Sequence, residues 1–216
     1  LVNIDHHRTN GDGSDLSLVD PEAAATGLLV HRVLRAMGYD IDPDVAVNIY
    51  VAVLTDTGSF HYGSSSPEAF AVAGEMVRRG VDPWAVAERV YETQSENRLR
   101  LLGRVLASLE VPPGGRVACI TTMLSDLAEF SSSKDALEGF INYPRSIAGV
   151  EVAVSFREEP DGMFRVSFRS KGRVDVSAVA SGFGGGGHRN AAGCTVPGPL
   201  PEAKRKVLEA LGAALR

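Results

Sequence analysis

The pattern of hydrophobic positions divides this chain into a helical first half and a second half that contains strands. In 21–37 and 95–109, apolar residues recur every three or four positions, the period of a helix with one buried side, and an apolar helix is expected at 43–54. In 163–169, apolar and polar residues alternate strictly, as they do in a strand with one buried face. The chain is therefore predicted to combine helices and sheet.

Four helix starts are marked by a capping residue that precedes a proline. An aspartate or serine side chain accepts hydrogen bonds from the free N–H groups of a first turn, and proline fits the first helical position. The first of these helices is expected to cover 21–37 and to stop at Gly38, and the third to stop at Gly80. The four pairs are Asp20-Pro21, Asp42-Pro43, Ser66-Pro67 and Asp82-Pro83.

The residues that follow the helix 95–109 predict a second domain. A strand is expected at 116–122, and a hairpin from 151–157 and 163–169. A short helix at 174–181 and a closing amphipathic helix at 201–215 complete this part.

We therefore expect an α/β protein of two domains joined by a helix. Residues 1–94 would form a domain with a partial parallel sheet, 95–110 a linker helix, and 111–216 a smaller α/β domain that binds substrate. A substrate cleft between the two domains, with closure over the substrate, is expected from this arrangement.

The composition is that of a soluble globular protein. Of the 216 residues 44% are hydrophobic, yet no apolar run approaches the roughly 20 residues that a membrane span requires. The two cysteines, Cys119 and Cys194, form no metal-binding or redox motif, so neither a disulfide framework nor a zinc site is expected. The expected location is the reducing cytoplasm, without a membrane partner.

The net charge of −5 is unevenly distributed. Residues 1–139 carry 11 Lys and Arg against 20 Asp and Glu, whereas 140–216 carry 11 against 7. The basic second part favours an anionic ligand. In the last strand of the predicted hairpin this charge has a defined arrangement, because Ser167 lies between Arg165 and Arg169 on the polar face.

Two short segments of the first domain combine residue types that carry chemistry. Asp5, His6 and His7 follow an apolar strand, and they form either a metal site or a capped loop with surface histidines. Residues 55–60 place Asp56 in a hydroxyl-rich turn after a helix, which is either a ligand turn or an ordinary Asx turn.

A third segment is the glycine run 184–187, which His188 follows. Consecutive glycines expose backbone amides, and the small residues 191–193 would let a helix N-terminus pack closely, an arrangement that suits an anion. A flexible loop is the alternative, although four adjacent glycines are costly in chain entropy. We favour an anion or nucleotide cradle that includes Gly186, Gly187 and His188.

Together, in this order and spacing, these segments resemble the DHH phosphoesterase family with its DHH-associated C-terminal domain. This group contains RecJ-like exonucleases and nanoRNases that also act as phosphatases of adenosine 3′,5′-bisphosphate (pAp). The resemblance covers nearly the whole chain, and 139–171 looks more like the branch that acts on short oligonucleotides and pAp. The segments that carry it are 2–10, 55–60, 139–147, 166–171 and 184–193, the last with the pattern G-G-G-G-H-x-x-A-A-G.

The resemblance implies a two-metal phosphodiesterase or phosphatase, typically dependent on manganese. His6 and Asp56 would be metal ligands. His7 and Asp5 would be catalytic, with His7 facing the scissile phosphate and Asp5 orienting a histidine. The second domain would hold the terminal phosphate and base of a short RNA oligonucleotide or nucleotide. The residues with this implied role are Arg145, Ser167, Arg169, Lys171, Gly186, Gly187 and His188, of which Lys171 has a solvated turn as its alternative.

Compared with the family pattern, the segment that precedes the Asp-His-His motif and supplies further metal ligands is missing here. Because the sequence starts at Leu1 without an initiator Met, we expect a fragment or processed form of a longer protein. We expect such a form to bind manganese weakly and to hydrolyse pAp and di- to pentanucleotides poorly. Unpaired sheet edges would favour oligomerisation or strand exchange, which leaves a homodimer open.

The expected function is hydrolysis of short oligoribonucleotides from an end, with removal of the 3′-phosphate of pAp as a side activity. Cleavage of cyclic or linear dinucleotides is an alternative within the same family. A nucleotide-binding module without catalysis is an alternative from another class, because the basic residues of the second domain can bind a phosphate without a metal.

Overall fold

The structure is a computed structural model that describes residues 1–7, 14–62 and 65–215. The chain forms two compact units, Leu1–Thr93 and Gln94–Arg216. It is of mixed α/β class, as predicted. None of the helices in the described ranges is long and apolar enough to cross a membrane.

The described part of the first unit contains two strands and four helices. These are β1 (Val2–Asp5), β2 (Leu16–Val19), α1 (Thr26–Ala36), α2 (Pro43–Asp56), α3 (Pro67–Arg78) and α4 (Pro83–Tyr91). The strands β1 and β2 pair in parallel, with Val2 opposite Leu16. In the core, Leu28 of α1 packs with Val53 of α2 and Met76 of α3. Helices α1 and α2 approach closely at Gly27, where a Cβ atom would lie 2.8 Å from Ala52 Cβ.

Three of the four predicted caps begin helices. The side chains of Asp42, Ser66 and Asp82 accept backbone N–H groups in the first turns of α2, α3 and α4. The predicted stops are also present, because Gly38 and Gly80 follow α1 and α3 with positive φ, the conformation that glycine adopts at helix ends.

The fourth cap prediction is wrong, because no helix begins at Asp20-Pro21. Asp20 Oδ1 accepts a hydrogen bond from the N–H of Glu22 in a turn, and α1 begins only at Thr26. The carbonyl oxygen of Ala23 lies 3.1 Å from Nδ1 of His6. In a helix that carbonyl would accept from a backbone N–H four residues later.

The second unit contains a five-stranded sheet with helices on its two faces. Its elements are α5 (Glu96–Leu106), β3 (Val117–Thr122), α6 (Leu124–Glu129), a 3₁₀ turn (Lys134–Leu137), α7 (Asn142–Ser146), β4 (Val152–Glu158), β5 (Met163–Ser170), α8 (Val176–Ser181), β6 (Gly186–His188), β7 (Ala191–Pro197) and α9 (Leu200–Ala214). The strand order is β3-β4-β5-β7-β6. Strands β3 and β4 are parallel and the other pairs are antiparallel.

Side-chain alternation in β5 separates a buried face from a polar one. Phe164, Val166 and Phe168 are at most 3% exposed and belong to the core that α8 and α9 cover. Their neighbours on the strand, Arg165 among them, point to the opposite face, as the sequence predicts. This opposite face carries Ser167 and Arg169, two of the residues that were predicted to bind substrate.

The second unit, Gln94–Arg216, is the longer of the two. The helix that was predicted as a linker lies in this unit as α5. It packs Leu101 and Val105 against Ile120 of β3 and Phe140, and this apolar contact makes the helix part of the second core.

Candidate functional site

The residues that follow β1 form a turn closed by Asp5. Asp5 Oδ1 accepts hydrogen bonds from the backbone N–H groups of His6 at 2.7 Å and His7 at 3.2 Å, and it lies 2.7 Å from His7 Nδ1. The His7 ring, and to a smaller extent the two backbone N–H groups, lower the pKa of the Asp5 carboxyl. Asp5 therefore holds the His7 ring. Arg8, Thr9 and Asn10 of the same motif lie outside the described residues.

The His6 ring has one nitrogen bound to the protein and the other directed at Asp56. Its Nδ1 lies 3.1 Å from the Ala23 carbonyl oxygen, and because a carbonyl can only accept, this nitrogen carries the proton. In the neutral ring Nε2 then presents its lone pair, and it lies 3.6 Å from Asp56 Oδ2. Two electron-pair donors thus face each other across a gap that a cation would fill. Metal-ligating histidines usually make such a bond through their second nitrogen.

Asp56 is the last residue of α2. The sequence pattern had predicted it to lie in the turn that follows the helix. The turn after it has a left-handed backbone, with φ of 57° at Gly58, 59° at Ser59 and 61° at Phe60. For Ser59 and Phe60 this conformation is less stable than the right-handed one by about 1–2 kcal/mol per residue. Other contacts must therefore stabilise the turn.

Thr57 and Tyr91 supply these contacts. The buried Thr57 hydroxyl donates to the Val53 carbonyl at 2.6 Å and accepts from the Phe60 N–H at 3.0 Å. On the other side of the turn, Ser59 Oγ lies 2.8 Å from the Tyr91 hydroxyl. These hydrogen bonds join the turn to α2 and α4 and thereby fix the place where α2 ends at its carboxylate.

His6 and Asp56 are of the ligand types that divalent metals accept, imidazole and carboxylate. Six-coordinate cations such as Mg²⁺ need further ligands. Across the ranges that the structure describes, no group of three or more His, Cys, Asp or Glu is arranged to hold a metal ion. The described residues therefore fit one side of a divalent cation site.

In the second unit, the predicted phosphate-binding residues share the polar face of the sheet. Ser167 lies opposite Ser155 on β4 and Gly193 on β7. Arg169 lies opposite Ala191, which is also the partner of His188 on β6. Since residues directly opposite each other point to the same face, Ser167, Arg169 and His188 all lie on this face of the sheet.

The glycine run forms a hairpin and not the loop before a helix N-terminus that was predicted. Gly186 and Gly187 lie in the edge strand β6, which pairs with β7. A Cβ at Gly187 would lie 2.6 Å from the Ala191 carbonyl oxygen, and one at Gly185 only 2.2 Å from that of Gly193. These two glycines are needed because two backbones pass in close contact, a requirement that composition alone does not reveal.

The remaining predicted residues lie at one end of the sheet. Arg145 is half-buried on α7, which packs against β3, β4 and β5. Lys171 follows β5 and is exposed, and its Nζ donates to the Ile147 carbonyl at 3.0 Å.

Comparison with known proteins identifies the second unit and then the family. The model of the DHHA1 domain matches residues 117–216. The bifunctional oligoribonuclease and PAP phosphatase NrnA of Thermus thermophilus is 34% identical over 212 residues, which are 98% of this chain and 63% of that protein. The protein of the same name from Bacillus subtilis is 27% identical over 199 residues, covering 91% of this chain and 62% of its own length. This chain belongs to the DHH phosphoesterase family.

A solved structure shows the same relationship. The crystal structure of an exopolyphosphatase-related protein from Bacteroides fragilis matches with a TM-score of 0.92 and 35% identity, over 98% of this chain and 63% of that one. The chain thus spans slightly less than two thirds of the length of these relatives.

The polar face also carries Arg165, a basic side chain that the predicted site does not include. Arg165 lies directly opposite Arg157 on β4 and Thr195 on β7, and residues that face each other in this way form a row across the sheet. The next row on the same face contains Ser167 and Gly193. Strand alternation had already placed Arg165 on this face. What the sequence did not show is where the guanidinium group points.

Proposed function

We propose that this chain belongs to a protein that hydrolyses short oligoribonucleotides from an end and removes the 3′-phosphate of pAp, with divalent cations of which Mn²⁺ is the first candidate. The observation that carries the proposal is the pair formed by His6 Nε2 and Asp56 Oδ2, 3.6 Å apart, with the other His6 nitrogen held by a carbonyl. The printed names of its relatives, which describe oligoribonuclease and PAP phosphatase activities, support the substrate class. A cytoplasmic location and a homodimer stay predictions.

The first unit would supply the groups that act at the scissile phosphate. Divalent cations, when bound, neutralise phosphate oxygens and activate the attacking water. His6 and Asp56 would hold a cation, with the His6 ring fixed by the Ala23 carbonyl. Asp5 fixes the His7 ring through Nδ1, and His7 would hydrogen-bond the phosphate or give a proton to the leaving oxygen.

The second unit would supply the groups that bind the substrate. A terminal phosphate next to Ser167 would accept from the hydroxyl group and from the Arg169 guanidinium, whose planar donors match phosphate oxygens. His188 lies in the same row as Arg169, on the other side of Ala191, and would contact the same phosphate or the sugar. Arg145 and Lys171 are assigned to the same ligand from the sequence resemblance.

The test measures turnover and binding with the complete product of the gene that encodes this sequence. Substrates are 5′-labelled di- to pentaribonucleotides, pAp and a cyclic dinucleotide, each with Mn²⁺, Mg²⁺ or EDTA. The variants are Asp56→Asn for the cation and Arg169→Ala for the phosphate. Asp44→Asn, an exposed carboxylate in the first turn of the same helix, and Arg205→Ala on α9 are the matched controls.

We expect Mn²⁺-dependent release of mononucleotides from linear substrates and of phosphate from pAp. Asp56→Asn should weaken Mn²⁺ binding, measured by electron paramagnetic resonance, by at least tenfold, while Asp44→Asn should leave it unchanged. Cleavage of the cyclic substrate alone would reassign the activity to dinucleotide hydrolysis. Nucleotide binding that survives EDTA, together with no turnover under any condition, would contradict the proposal in favour of a binding module.

A further inference from the structure

The Arg165 side chain reaches from its own row on β5 toward that of Ser167. Directly opposite Ser167 lies Gly193, and a Cβ built on that glycine would be 3.5 Å from Arg165 Nη2 and 3.8 Å from its Cζ. The guanidinium group therefore lies over the glycine, in the row of Ser167. Because neighbouring strands are about 4.8 Å apart, the guanidinium group and the Ser167 hydroxyl are adjacent on one surface.

The fold uses neither of these two polar groups. Arg165 is exposed and Ser167 half-buried, and within the described part of the chain neither side chain makes a hydrogen bond or an ion pair. Other basic side chains nearby do have protein acceptors. Arg157 Nη2 donates to Glu159 Oε1 at 2.7 Å, which leaves its charge paired.

Glycine at position 193 is what allows this arrangement. A side chain there would occupy the space of the Arg165 guanidinium group and would also lie 3.1 Å from the Val166 carbonyl oxygen. On its other side Arg165 borders an open depression of about 640 Å³, so the group is accessible to a ligand. The surface therefore offers a hydroxyl group with one arginine on each side along the strand, Arg165 and Arg169.

We propose that Arg165 is a specificity-determining residue that binds the terminal phosphomonoester of the substrate together with Ser167 and Arg169. The inference rests on the proposed function, because it takes the ligand at Ser167 to be a terminal phosphate. Two guanidinium groups match the charge of a phosphomonoester, which is close to −2 at neutral pH, better than that of a phosphodiester or a free hydroxyl. Arg165 would therefore select phosphorylated ends.

The experiment compares the diribonucleotide ApA with and without a 5′-phosphate, bound to the complete gene product in EDTA so that no hydrolysis occurs. Affinities are measured by calorimetry at several salt concentrations for wild type, Arg165→Ala and Arg165→Lys. Arg205→Ala serves as the control for loss of one exposed positive charge. Melting temperatures confirm that each variant is folded.

We expect Arg165→Ala to weaken binding of the phosphorylated ligand by about three- to tenfold, and that of the unphosphorylated ligand by less than twofold. The slope of log affinity against log salt for the phosphorylated ligand should become smaller by about 0.7, the value for one lost contact to a single strand. Arg165→Lys should restore most of this slope and only part of the affinity, because it keeps the charge and loses the planar donors.

Equal losses for both ligands, or no loss for either, would overturn the assignment of Arg165. If wild type bound neither dinucleotide, the proposed function itself would fail, which is a different result from the previous two. Arg169→Ala provides an internal reference, since it should weaken binding of the phosphorylated ligand even where Arg165 makes no contribution.

Discussion

Alanine substitutions at the glycines of the β6 hairpin should change the free energy of unfolding by different amounts, although these glycines are adjacent in sequence. At Gly185 a Cβ would lie 2.2 Å from the Gly193 carbonyl oxygen, and at Gly187 it would lie 2.6 Å from that of Ala191. At Gly186 a Cβ would meet no atom of the described residues within 4 Å. Because the first two contacts are with backbone atoms, no side-chain rotation can relieve them.

The expected loss of stability follows from these distances. Gly185→Ala should lower the free energy of unfolding by about 1–3 kcal/mol, the usual cost of forcing an extra carbon into a packed site. Gly187→Ala should lose about 1–3 kcal/mol more than that, because its φ of 144° belongs to a region that only glycine adopts readily. Gly186→Ala should be neutral or more stable by up to about 1 kcal/mol, since alanine reduces the entropy of the unfolded chain.

Urea unfolding followed by far-UV circular dichroism measures these differences, and hydrogen exchange of the β7 amides assigns them to the hairpin. The same variants separate fold from ligand binding. Gly186 lies opposite Gly193, in the row of Ser167, so its new methyl group should weaken nucleotide binding while stability is kept. If Gly186→Ala were as destabilising as Gly185→Ala, or if all three variants were neutral, the hairpin geometry would be refuted.

Three other predictions concern the two cores and their charged surface. Thr57→Val should destabilise the protein by about 1–3 kcal/mol in thermal unfolding, because the Phe60 N–H loses its acceptor. As the control, Thr55→Val on the exposed side of α2 should destabilise it by less than about 0.5 kcal/mol. Burial raises the pKa of Cys119 to about 12 and that of Cys194 to about 11. A thiol reagent at pH 8 should therefore label neither cysteine in the native protein and both in urea. Rapid labelling of the native protein would contradict the burial of these cysteines. The Arg32 guanidinium lowers the pKa of Glu68, so this pair stabilises the folded state above the ordinary glutamate pKa and loses that contribution as pH falls through the lowered pKa. Acid titration of unfolding should therefore be less steep below pH 4.5 in Arg32→Gln, and an unchanged profile would argue against the ion pair.

The sequence alone determined those features that depend on residues within one turn or one strand. The caps Asp42, Ser66 and Asp82 begin helices because their oxygens accept N–H groups only two or three residues away. Alternation in β5 separated its buried and polar faces, because successive side chains in a strand point in opposite directions. Motifs along the chain also identified the family before any contact was known.

Tertiary structure decided where distant segments meet. The cap at Asp20 failed as a helix start, and the nearby Ala23 carbonyl instead bonds His6, 17 residues away in sequence. The glycine run became a hairpin strand because β7 was present as a partner, whereas the same glycines also fit a loop before a helix. Local patterns record which conformations a segment can adopt, but only packing against other segments selects among them. The same packing places Arg165 over Gly193 and directs His6 at Asp56, so the chemistry of both surfaces depends on contacts between segments far apart in sequence.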